Sequence, residues 1–147
     1  MAWRIGQPIW RNWKLDKIRI LNDRDPIWKG KGEIKFTCIA VPDNDKTRSQ
    51  VTNLPSSGVY HVSDKAGKND IQVGATIFDG TVKSRALSIG ITGKEIDLFD
   101  PDDDLARYHR TFSGDPSTWV GQYSPFDEYL DKEDVGEWQL WYRITIG

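Results

Sequence analysis

The chain has 147 residues, 37% hydrophobic and 29% charged, with a formal net charge of −2; this is the balance of one soluble globular domain and excludes a general nucleic-acid binder. A single cysteine, Cys38, excludes an internal disulfide and a cysteine-based structural zinc site. No segment approaches the ~18 apolar residues of a membrane-spanning helix, and MAWRIGQPIWRNWK lacks the apolar core of a secretory signal, so the sequence reads as soluble and without an export label.

The first dozen residues, with Trp3 and Trp10, read as an arm that packs on the domain or on a partner; nothing marks a boundary, so residues 1–147 are one domain. In KIRIL, Ile18 and Ile20 share one face, as expected of a strand with one buried side. NDRDP at 22 to 26 supplies a turn carrying Asp23 and Asp25, and Trp28 follows, flanked by Lys29 and Lys31. EIKFTCIA then alternates again, with Ile34, Phe36, Cys38 and Ala40 inward and Glu33, Lys35 and Thr37 outward. Cys38 on the inward phase is expected to be buried and inert.

Turns at PDND (42 to 45) and LPSSG (54 to 58) lead to a short strand near Gly58 to Val62, and DKAGKND (64 to 70) to the alternating run IQVGATIF, with Ile71, Val73, Ala75 and Ile77 on one face. FDG at 78 to 80 reads as the next turn, before RALSIGI with Leu87, Ile89 and Ile91 inward. A strand follows at Tyr108 to Phe112, and GDPSTWVGQY places Trp119 in a loop. SPFDEYL offers an N-cap serine, a proline at the first helical position and Asp127 at the third, enough for one or two helical turns from Ser124. EWQLWYRITI closes the chain with Trp138, Leu140, Tyr142, Ile144 and Ile146 on one face. Short alternating runs with regular turns predict an all-β fold, an antiparallel β-sandwich of about eight strands.

The stretch DLFDPDDDLARY, residues 97 to 108, holds five aspartates in eight positions: Asp97, Asp100, Asp102, Asp103 and Asp104. Each close carboxylate pair costs roughly 1 kcal/mol in water, more where desolvated, so a compensating cation is expected. Calcium is the simplest candidate, because it takes six to eight oxygen ligands in flexible geometry. An EF-hand loop beginning at Asp100 fails, since Leu105 stands where glycine is needed and Thr111 where the bidentate glutamate belongs. Any site therefore borrows ligands from another loop, and a second acidic loop exists at Asn22, Asp23 and Asp25, at the end of the Ile18 to Leu21 strand.

These two Asp-rich loops, in this order of strands, resemble C2-type calcium-binding modules. The resemblance implies an eight-stranded β-sandwich in which carboxylates of separated loops share calcium at one end, here Asp23 and Asp25 with Asp97, Asp102 and Asp104. The closing segment VGQYSPFDEYLDKEDVGEWQLWYRI resembles P-domain-like jelly rolls through Gly121, Tyr123, Pro125, Gly136, Trp138 and Leu140. Both resemblances imply a sandwich and neither implies catalysis.

Trp28, with Lys29 and Lys31, suits insertion at a lipid headgroup boundary, or else folds back as a lid on the sandwich edge. Trp119 poses the same choice, as an exposed ring would stack on a sugar or a partner protein. Enzyme chemistry has no constellation: His61 and His109 are too few for a histidine metal site, and there is no G-x-S-x-G, P-loop or H-E-x-x-H. Only a glycosidase-like carboxylate pair among Asp25, Glu33, Asp97 and Asp102 is conceivable, and sequence does not set its separation. The expected function is a calcium-dependent binding module engaging a membrane surface or a protein partner, extracellular if calcium governs it. The alternatives are a metal-independent subunit of a toxin or virion assembly, anchored by Trp3 and Trp10, and a carbohydrate-binding sandwich.

Overall fold

A computed structural model describes residues 4, 6–21, 32–62, 67–96, 103–125 and 133–146. Two antiparallel sheets face each other. The strands are β1 (Ile9–Ile20), β2 (Gly32–Pro42), β3 (Gln50–Leu54), β4 (Tyr60–Val62), β5 (Asp70–Val82), β6 (Ala86–Glu95), β7 (Asp103–Asp104), β8 (Tyr108–Ser113), β9 (Gly121–Tyr123) and β10 (Trp138–Thr145). One sheet has the order β5-β1-β10-β9; the other runs β3-β2-β6-β7, with β4 also paired to β2 and β8 to β6. The expected all-β antiparallel sandwich is what forms.

The alternation places the core as the sequence predicts: Ile34, Phe36, Cys38 and Ala40 of β2 and Leu87, Ile89 and Ile91 of β6 are buried. They meet Trp13, Leu15, Ile18, Ile20, Trp138, Leu140, Tyr142 and Ile144 from the opposite sheet. Burial pushes the Cys38 thiol up to about 12, so it stays protonated and inert. Trp13 stacks on Tyr142 at 4.1 Å between ring centroids and Tyr142 on Tyr123 at 4.8 Å, giving the core an aromatic spine.

Three local expectations are corrected. Residues 9–12 are no arm, because they pair with Asp79 to Val82 of β5, ahead of a register shift between Leu15 and Lys17. That bulge switches the buried phase from Trp13 and Leu15 to Ile18 and Ile20, so one strand of 12 residues carries both sets. FDG at 78 to 80 is not a turn but lies inside β5, where a register shift opposite Trp13 and Lys14 lets the consecutive Ile77 and Phe78 both reach the core. The chain reverses instead after Val82, where Arg85 takes φ 70° and the Asp43 carboxylate accepts the amides of Lys83 and Ser84. Ile146 lies beyond the end of β10 and is exposed. Helical geometry among the described residues is limited to 3-10 turns at Lys46–Arg48 and Pro116–Trp119; the turn expected from Ser124 runs into residues 126–132, outside the described residues.

Candidate functional site

The strands bring the stems of the two Asp-rich loops to one end of the sandwich. At the end of β1, the Ile20 amide donates to Asn69 O (2.9 Å) and the Leu21 amide to Glu137 O (2.8 Å). The second stem of that loop is the start of β2, and there Glu33 O accepts the Ile96 amide at 2.7 Å, one residue past β6. The far side of the aspartate run returns as β7, with Asp103 opposite Glu95 and Asp104 opposite Lys94. The Leu105 amide then donates to Gly93 O at 2.9 Å, and Trp138 Nε1 to Ala106 O at 2.6 Å. Thus Leu21, Gly32, Ile96 and Asp103, which border the two acidic loops, share one rim.

Of the expected metal ligands, Asp104 lies exposed on β7, whereas Asp23, Asp25, Asp97 and Asp102 lie outside the described residues, as do Trp28, Lys29 and Lys31. Among the described residues no group of three or more His, Cys, Asp or Glu side chains gathers for a metal ion. The all-oxygen donor set of the two loops nonetheless suits a hard cation, and their stems are adjacent.

Directly beside this rim, on the outer face of the six-stranded sheet, is a cleft of about 570 Å³ lined by Lys35, Thr37, Thr92, Lys94, Asp104 and Arg107, with Gly93 and Leu105 at its floor. Lys35 and Lys94 are register partners, as are Thr37 and Thr92. Like charges set directly opposite one another across a strand pair are destabilising. Among the described residues, none of Lys35, Lys94 and Arg107 enters an ion pair, while three cations of the other sheet do: Arg19 and Lys17 to Asp70, Arg143 to Asp16. Arg107 lies across Gly90, where a Cβ would come within 3.4 Å of its Nη2.

Lys94 and Arg107 carried no signal in the sequence, and Lys35 stood out there only as an outward residue of its strand. TGKE does place Lys94 on the outward phase of its strand, but the cross-strand register that sets it against Lys35 is not written in either segment alone.

Trp119 is corrected: it is 3% exposed. The turn Pro116–Trp119 folds the ring against Phe112, and its Nε1 donates to Ser113 O at 3.0 Å, so it makes no external contact. Trp10 is 48% exposed, yet it sits on β1 with Nε1 donating to Asp79 Oδ1 at 2.7 Å; Trp3 lies outside the described residues. Glu133 is fully buried and accepts from Arg110 and Tyr142, an internal tie between the sheets and not a surface group.

No protein-family model matches the sequence, and no curated protein matches it. Among solved structures, the C2A domain of plant extended synaptotagmin 1 is similar over 94% of this chain and 94% of that one, with a TM-score of 0.50 and 11% sequence identity. At that identity the likeness is one of fold: the chain is a C2-like antiparallel β-sandwich. Among the described residues no helix is long and apolar enough to cross a membrane.

Proposed function

We propose that this protein is a non-enzymatic binding module that docks on an anionic membrane surface with its loop rim and the adjoining Lys35, Lys94 and Arg107 cleft, and that calcium promotes the docking. The observation that carries the reading is the set of three cations without ion-pair partners among the described residues, arranged around one open cleft beside the rim. A surface that keeps like charges opposed at a cost to stability is suited to an external anion, and the threonine hydroxyls between them add hydrogen-bond donors for phosphate oxygens. Calcium enters through Asp23, Asp25, Asp97, Asp102 and Asp104, whose loops share the rim; it would neutralise carboxylates that otherwise repel anionic lipid. Trp28, Lys29 and Lys31, in the first of those loops, are the expected contacts at the headgroup boundary.

Vesicle co-sedimentation tests this. The protein should pellet with vesicles containing anionic lipid, more so with calcium than with chelator, and not with neutral phosphatidylcholine. A Lys35→Ala, Lys94→Ala, Arg107→Ala variant should lose about tenfold or more in affinity, since each basic group near the surface is worth about 1 kcal/mol. Equal pelleting of the variant and the natural sequence would remove the cleft from the proposal; equal pelleting with calcium and with chelator would remove the metal.

A further inference from the structure

β8 is an edge strand: it pairs with β6 from Ala86↔Ser113 to Ile91↔Tyr108, and among the described residues no strand pairs with its other side. A second cleft, of about 530 Å³, follows that free edge. Its near wall is five consecutive residues, His109 to Ser113, of which His109, Thr111 and Ser113 point outward and Arg110 and Phe112 inward. A cleft that meets both faces of a strand runs along its edge. The far wall is the Pro116–Trp119 turn together with Tyr123 of β9.

Hydrogen-bond parity identifies the backbone groups that face this cleft. Gly93 O accepts the Leu105 amide on the β7 side of β6, whereas Ala86 O accepts the Asp43 amide on the β2 side. The odd-numbered residues of β6 therefore turn their amides and carbonyls to β8, where their register partners are Tyr108, Arg110 and Phe112. The backbone groups of His109, Thr111 and Ser113 are left facing the cleft. Ser113 O is met there by Trp119 Nε1 at 3.0 Å, in agreement with that parity. Among the described residues, nothing meets the N–H and C=O of His109 and Thr111 from the cleft side. The fold does cover an edge elsewhere, since the Gln50 side-chain amide accepts from Asp79 N at 3.0 Å and donates to Asp79 O at 2.9 Å on β5.

Arg110 adds a directed donor. Its guanidinium lies 4.7 and 4.9 Å from the ring centroids of Phe112 and Tyr123, and Nη1 donates to Glu133 and Tyr142. Nε and Nη2 have no acceptor among the described residues, although only 14% of the side chain is accessible. Glu133 already balances the charge, so the cleft calls for a neutral oxygen and not for an anion.

We infer that this cleft is a docking site for an extended, uncharged segment of a partner polypeptide, which adds to β8 as a further strand. The segment's main chain exchanges hydrogen bonds with His109 and Thr111, and one of its neutral oxygens accepts from Arg110. His109 to Ser113 span about 13 Å, the length of four to five extended residues. The site is separate from the basic cleft, because no residue lines both. It does not depend on the membrane reading.

The probe is the peptide acetyl-Thr-Val-Gln-Val-Thr-amide, neutral and strand-forming, titrated into isotope-labelled protein and followed by NMR. The amide signals of His109, Thr111 and Ser113 should shift together, with a Kd of about 1 mM or tighter. No shift at these amides, or shifts centred elsewhere, overturns the inference. Thr111→Pro removes an edge N–H without touching the β6 ladder and should abolish binding. Thr118→Tyr narrows the cleft from the far wall, leaves β8 intact and should weaken binding about tenfold or more. Unchanged affinity in either variant, with folding verified by circular dichroism, also overturns it. Co-sedimentation of Thr118→Tyr with anionic vesicles should match the natural sequence, and a parallel loss there would overturn the separateness of the two sites.

Discussion

The backbone amide of Ile96 donates to the carbonyl oxygen of Glu33 across 2.7 Å, joining the first residue after β6 to the second residue of β2. Two acidic segments that are 72 positions apart in the chain, counted from Asp25 to Asp97, thereby leave the sandwich at the same rim. Had those stems opened at opposite ends, their aspartates would be turn residues and nothing more. Their meeting is what makes a shared cation a physical proposition.

An Asp102→Asn, Asp104→Asn change tests that proposition in solution. Calcium that binds only the folded protein stabilises it by about 2.7 kcal/mol at a hundredfold excess over Kd. Calorimetry on the natural sequence should thus show a Tm several degrees higher with calcium than with chelator. In the variant the two thermograms should superimpose, because two of the carboxylates that would answer to calcium are gone. Superimposed thermograms for the natural sequence itself would sink the calcium reading.

Lys94→Glu is expected to separate stability from binding. The new carboxylate faces Lys35 in register, so a repulsive pair becomes an attractive one and urea unfolding should show a gain of up to about 1 kcal/mol. Adjacent Asp104, the register neighbour on β7, reduces that gain and sets its upper limit. Affinity for anionic vesicles should fall in the same variant. A protein that becomes both more stable and tighter-binding would contradict the role given to the cleft.

Periodicity made most of this fold legible and failed in identifiable places. Ile34, Phe36, Cys38 and Ala40 announce their buried face because β2 alternates without interruption. The bulge after Leu15 hid the first half of β1, since one extra residue inverts the parity on which alternation rests. The bulge at Ile77 made FDG look like a turn for the same reason. The acidic loops stand out in the sequence because charge density is a local signal, whereas the shared rim of their stems belongs to the strand pairing. The opposition of Lys35 and Lys94 could not, because it belongs to the register between strands more than 50 positions apart.

Two glycines of β6 make opposite predictions. A Cβ on Gly93 would stand 2.8 Å from Phe36 Cε1 and 2.9 Å from Leu105 Cδ1, inside a packed core. Gly93→Ala should therefore cost about 1–3 kcal/mol in urea unfolding, as overpacking does. On Gly90 the Cβ would meet only the mobile end of Arg107, at 3.4 Å from Nη2. Gly90→Ala should stay within about 0.5 kcal/mol of the natural sequence, the range of an exposed substitution, and its effect should appear in vesicle affinity through a displaced Arg107. Equal stability losses at the two positions would show that the outward and inward faces of β6 have been confused.

Asp43 gives the pH dependence of the opposite end of the sandwich. Burial raises its pKa, but the amides of Ser84 and Lys83, the Arg48 guanidinium and the Ser84 hydroxyl together outweigh that and hold the carboxyl below its ordinary value. A depressed folded pKa means stability that is complete above the unfolded value of about 3.9 and lost as pH falls through the folded one. Asp43→Asn tolerates the φ of 57° and keeps one accepting oxygen, yet it loses the charge that Arg48 meets at 2.7 Å. It should cost about 1–2 kcal/mol at pH 7, and that deficit should shrink once pH falls below the unfolded value of about 3.9 and on through the lowered folded one. Asp70, also depressed by its hydrogen bonds from Arg19, titrates alike in both proteins and cancels in the difference, whereas Asp45, held down chiefly by Thr47, also feels the Asp43 charge and is depressed a little further in the variant. A deficit that does not shrink at all below the unfolded value of about 3.9 would mean that the turn is held by Asp43's shape and not by its charge.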